Sequence, residues 1–76
     1  MAYTIKGLAK ANECESLDCY GLADVWNYWL SCNCNDKQCI DDFKRLRKAD
    51  RITMLHVLQS DGCYENLYLH ILPHIY

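Results

Sequence analysis

Proline and glycine are scarce, with one proline and three glycines in 76 residues. That scarcity excludes collagen-like and low-complexity character. No uninterrupted apolar run approaches the ~18 residues of a membrane-spanning helix. No apolar stretch of signal-peptide length follows Met1, so the expected location is cytoplasmic. Basic charge is not in excess: the net charge is −2, which argues against nucleic-acid binding by bulk charge. No G-x-S-x-G, H-E-x-x-H, phosphate-cradling glycine loop or dinucleotide fingerprint occurs. A cysteine–histidine pair such as Cys63 with His56 is no more than chance supplies among six cysteines and three histidines. The expectation is a non-enzymatic chain with no cofactor, folded as one compact domain over residues 1–76.

Hydrophobic residues make up 51% and charged residues 24%, a balance that builds a core rather than a disordered tail. The six cysteines are Cys14, Cys19, Cys32, Cys34, Cys39 and Cys63. In a reducing compartment such thiols act as small buried hydrophobes. Free thiols are therefore the first reading, metal ligands the second and disulfides the third.

Residues 3–11 alternate, with Tyr3, Ile5, Gly7, Ala9 and Ala11 on one face, which predicts a half-buried strand. Leu8 breaks the alternation. The strongest pattern follows. Leu22, Val25, Trp26, Trp29 and Leu30 sit at i, i+3, i+4, i+7 and i+8, one stripe of a helix, with Ser16 or Asp18 able to cap its start. Residues 31–36 read as a turn. Asn35 and Gln38 resemble a capping box for a second helix running to about Ala49, with Cys39, Ile40, Phe43 and Leu46 inward and Asp41 spaced to pair with Arg45. Ile52 to Gln59 and residues 65–72 read as two strands around a Ser60-Asp61-Gly62 turn, with Gly62 able to take positive φ and Pro73 ending the second strand. The register stays open between a turn that pairs His56 with Leu67 and one that pairs Leu55 with Leu67. The predicted fold is α+β: a three-stranded antiparallel sheet with two helices on one face, in the order β-α-α-β-β.

Charge is unevenly spread. Residues 1–42 hold seven acids against three bases, and residues 43–76 hold five bases against three acids. Tyr20 and Tyr28 fall off the core face of the first helix. Asn66, Tyr68 and His70 fall on the sheet face that the helices leave open, and Tyr64 lies near the hairpin tip. Tyrosine gives rigid contact area with a polar tip, the composition of a binding surface. The expected partner-binding residues are Glu13, Glu15 and Asp24 for charge, and Tyr20, Tyr28, Asn66, Tyr68 and His70 for contact. The expected function is a small module that binds a protein partner, a homodimer being one form. Its class is an inhibitor or adaptor of the kind that phages and mobile elements direct at host nucleic-acid-handling machinery. Two alternatives accompany it. Cys32, Cys34 and Cys39 could hold zinc, although no C-x-x-C is present. Lys44, Arg45, Arg47, Lys48 and Arg51 could contact phosphates, although bases at a helix C-terminus also satisfy the helix dipole.

Overall fold

The computed structural model describes residues 3–32 and 36–75. Among them the regular elements are helices: α1 (Ile5–Ala11), α2 (Cys19–Cys32), α3 (Asp36–Arg45), α4 (Lys48–Ser60) and α5 (Glu65–Ile71), with 3-10 turns at Gly62–Tyr64 and Leu72–His74. The expected α+β fold with its three-stranded sheet is overturned. The protein is all-α, and the only β pairing among the described residues is an isolated bridge from Tyr3 to Leu46.

The physical reason for the correction lies in segments that fit both periods. In residues 3–11, Ile5, Leu8 and Ala9 also fall at i, i+3 and i+4. Thr4 caps the helix, its hydroxyl accepting the Gly7 N–H at 3.0 Å, and Leu8 and Ala9 are buried. Leu8, which breaks a strand, belongs to a helix. The last third divides in the same way. Leu67, Leu69 and Ile71 would share one strand face, but Leu67 and Ile71 are fully buried whereas Leu69 is 57% exposed. That split is the i, i+4 stripe of a helix. Met54 and Leu58 form the matching pair on α4. Pro73 sits in the first turn of the closing 3-10 segment, where a missing N–H does no harm.

Asp18 caps α2, its carboxylate accepting the Gly21 N–H at 2.9 Å. The predicted stripe is graded in depth: Leu22 and Trp26 are fully buried, while Val25, Trp29 and Leu30 pack at the margin. From α3, Phe43 meets Trp26 edge to face, with ring centroids 6.2 Å apart at 84°. Such a pair adds about 0.5–1.5 kcal/mol beyond its buried area. Cys39 is buried beside them and its thiol donates to the Trp26 carbonyl, so one of the six cysteines does act as a small core residue.

The second helix does not reach Ala49. It ends at Arg45, and a corner at 46–47 turns the chain into α4. An unbroken helix would carry the Cys39–Phe43–Leu46 stripe through Asp50 and leave Leu55 on the opposite face from Leu46; after the turn Met54, Leu55 and Leu58 share one buried side of α4. Tyr3 closes the corner with two backbone bonds, its N–H to the Arg45 carbonyl at 2.8 Å and its carbonyl from the Arg47 N–H at 3.0 Å. Arg51 locks it by donating to the Leu46 and Ile75 carbonyls. The expected capping residue Asn35 lies outside the described residues.

Ser60-Asp61-Gly62 does break the chain, but between two helices. Asp61 caps the 3-10 turn by accepting the Cys63 N–H at 3.0 Å. No described glycine has positive φ, so the expected left-handed Gly62 is corrected as well. A Cβ at Gly62 would meet nothing within 4 Å. Gly62→Ala should therefore stabilise the protein by about 0.4–1 kcal/mol through the unfolded chain; a lowered denaturation midpoint would contradict this.

Candidate functional site

Between the 14–18 loop and α2 lies a groove of about 350 Å³. Local sequence builds it. The Asp18 cap brings the loop onto the first turn of α2. Gly21 then lies so close to the loop that a Cβ there would stand 1.9 Å from the Ser16 carbonyl oxygen. One turn further on, Asp24 and Val25 continue the wall, and Tyr28 and Trp29 close the far end, with Glu15 on the loop side. Tyr28 is 57% exposed, Tyr20 on the same helix is 50% exposed, and Leu17 on the loop is also exposed. Glu13, just before the loop, is exposed and holds the left-handed backbone at φ 55°.

Asp24 is held from across the chain. The Tyr64 hydroxyl donates to its carboxylate, a bond spanning 40 residues of sequence. The bond favours the protonated phenol, burial adds to this, and the Tyr64 hydroxyl is pushed up to about 12. The sign follows directly. The protonated phenol makes the bond, so its stabilisation is fully present below the ordinary tyrosine value near 10 and is lost as pH rises from there through about 12. A tyrosinate absorbance titration should show one tyrosine ionising last, and Asp24→Asn should bring it back towards its companions. Identical curves for the two proteins would show that the bond is not made.

The expected binding residues are thus divided. Glu15, Asp24 and Tyr28 meet in one groove, with Tyr20 on the same helix. Asn66, Tyr68 and His70 do not form a sheet face, because they lie on α5. Asn66 is exposed, while Tyr68 and His70 are half-buried, and Tyr68 packs against the core. In the sequence, Trp29 and Val25 belong to the apolar stripe of α2, and Gly21 carries no hydropathy pattern that marks it as a groove residue. The available signal was a glycine three residues after a capping aspartate, where a helix can approach its own preceding loop.

The basic residues are mostly engaged. Arg51 holds the corner, Arg47 pairs with Asp50 at 2.9 Å, and Arg45 reaches Asp42 at 3.5 Å instead of the expected Asp41. Lys44 and Lys48 are exposed. Arg47 and Lys48 stand at the start of α4, so the helix dipole accounts for Lys44 and Arg45 but not for these two. Asp42 was not anticipated as a buried group. It is 3% exposed and accepts from the Asn12 side-chain amide at 2.9 Å, which ties the end of α1 to α3.

Of the expected zinc ligands, Cys34 lies outside the described residues. Cys32 is exposed at the end of α2 and Cys39 is buried. No group of three metal-ligating side chains occurs among the described residues. Cys14, Cys19, Cys32 and Cys63 are free thiols. Burial pushes the Cys14 and Cys19 thiols up, and nearby carboxylates add to it, which makes both poor nucleophiles at neutral pH. No helix among the described residues is long and apolar enough to cross a membrane. Comparison with protein-family models, curated proteins and solved structures gives no match.

Proposed function

We propose that the chain is a small protein-binding module that acts as an inhibitor or adaptor, with the α2 groove and its tyrosine flank as the contact surface. The observation that carries this reading is the convergence of Glu15, Asp24, Tyr28 and Trp29 on one groove, with Tyr20 and Leu17 exposed nearby. Rigid aromatic area around a concavity supplies contact, and a polar rim supplies orientation. The acid-rich first 42 residues suit a basic partner surface, such as the nucleic-acid groove of a host protein.

The test is selection of displayed 12-residue peptides against the whole protein, with counter-screening on Tyr28→Ala. That side chain is largely exposed, so its removal leaves the core intact. Peptides that bind the protein and lose at least about tenfold in affinity on Tyr28→Ala support the reading. Absence of any such peptide overturns it. For the electrostatic part, reversing charge at Glu13, Glu15 and Asp24 together should weaken the same peptides; unchanged affinity would dismiss it.

A further inference from the structure

The groove has a chemistry more specific than general protein contact. Two carboxylates line it, Glu15 and Asp24, and among the described residues no lysine, arginine or histidine does. Two aromatic rings stand with them, Tyr28 and Trp29. An anionic or phosphate-bearing ligand would meet like charge here, and a purely apolar one would leave both carboxylates facing it without a counter-charge. A planar cation meets neither difficulty. It can stack on an aromatic face and donate N–H bonds to a carboxylate at its edge.

We propose that the α2 groove receives an arginine side chain of the protein partner, its guanidinium held between the Tyr28/Trp29 rings and the Glu15 and Asp24 carboxylates. The assignment rests on the protein-binding reading and names its anchor. Arginine is preferred to lysine on physical grounds. Guanidinium is flat and weakly hydrated and presents several donors in a fork, whereas ammonium is compact and strongly hydrated and gives up its water less readily. The groove volume, about 350 Å³, is at the small end for ligand pockets and suits a single side chain rather than a cofactor.

Tyr64 makes Asp24 a prepared acceptor. A carboxylate has about four acceptor positions, and the Tyr64 hydroxyl takes one of them, fixing the group while leaving capacity for a guanidinium. With its pKa pushed up to about 12, that hydroxyl is protonated and a donor to Asp24 across the physiological range. A carboxylate held ready in this way binds without first having to be ordered.

Two tripeptides make the test: acetyl-Gly-Arg-Gly amide, and its counterpart with citrulline, a neutral isostere, in place of arginine. Binding is followed by the NMR signal of the Trp29 indole N–H in the whole protein. The arginine peptide should move this signal saturably at millimolar concentration, with affinity at least about tenfold above the citrulline peptide. The double variant Glu15→Gln, Asp24→Asn should lose about tenfold for arginine and little for citrulline. Tyr64→Phe, which leaves both carboxylates in place, should weaken arginine binding by a smaller factor. No shift with the arginine peptide, or equal affinities for the two peptides, overturns the assignment. The displayed-peptide selection separates this failure from that of the wider reading. Tyr28-dependent peptides without arginine would refute the guanidinium anchor and leave the binding module standing. No Tyr28-dependent peptide would refute both.

Discussion

Trp26→Ala is expected to lower stability by about 3–5 kcal/mol, the range for removing a fully buried large aromatic. The indole is 0% exposed, and its loss takes away the edge-to-face partner of Phe43. Small domains lie towards the lower end of the roughly 5–15 kcal/mol by which folded chains are stable. The variant should therefore be close to unfolded, with its near-UV circular dichroism lost. Trp26→Phe should behave differently for a reason specific to this core. The Trp26 Nε1–H is buried with no acceptor among the described residues. A buried donor without a partner costs about 1–3 kcal/mol. Phenylalanine removes that donor and retains a ring against Phe43, so part of the lost packing is offset. Urea denaturation should place Trp26→Phe nearer to wild type than to Trp26→Ala. Equal damage from both substitutions would mean that the indole N–H is satisfied after all.

What was legible in the sequence followed the length and clarity of each pattern. The α2 stripe from Leu22 to Leu30 repeats long enough to exclude a strand, and its placement of Tyr20 and Tyr28 off the core face agrees with their exposure. The α1 and α5 segments are seven residues each. Over that span alternation and helical spacing share most positions, and such short helices have little stability of their own. Their state is set by packing, which the local sequence does not contain. Leu8 in one segment and Leu69 in the other were the residues that distinguish the two periods. The corner at Leu46 was hidden for a similar reason. It is closed by Tyr3, whose backbone bonds reach Arg45 and Arg47, and by Arg51, which reaches the Ile75 carbonyl, and these contacts join parts of the chain far apart in sequence. Three of the groove's lining residues, Glu15, Asp24 and Tyr28, were legible as surface residues because they are local, lying within 14 residues on the same loop and helix. The hold of Tyr64 on Asp24, from 40 residues away, was not.

Gly21→Ala tests the contact that makes the groove. In an ordinary helix the change would favour folding by about 1 kcal/mol, since glycine is a poor helix former. Here the added Cβ would lie 1.9 Å from the Ser16 carbonyl oxygen and 2.8 Å from its carbonyl carbon. Both are backbone atoms, so no side chain can swing aside. Either the loop lifts from α2, which pulls Asp18 off the Gly21 N–H it caps, or the helix start unwinds. Overpacking of this kind costs about 1–3 kcal/mol, occasionally more, and a cap about 1 kcal/mol, so the propensity gain is outweighed. The variant should be destabilised while Gly62→Ala, the same chemical change in open space, is not. Ser16 and Gly21 both line the groove, so arginine-tripeptide binding should fall in Gly21→Ala even at a temperature where the variant remains folded. A Gly21→Ala protein as stable as wild type, with its groove still competent, would show that the loop does not rest on α2 as closely as described, and the shape that gathers Glu15, Asp24, Tyr28 and Trp29 would lose its physical cause.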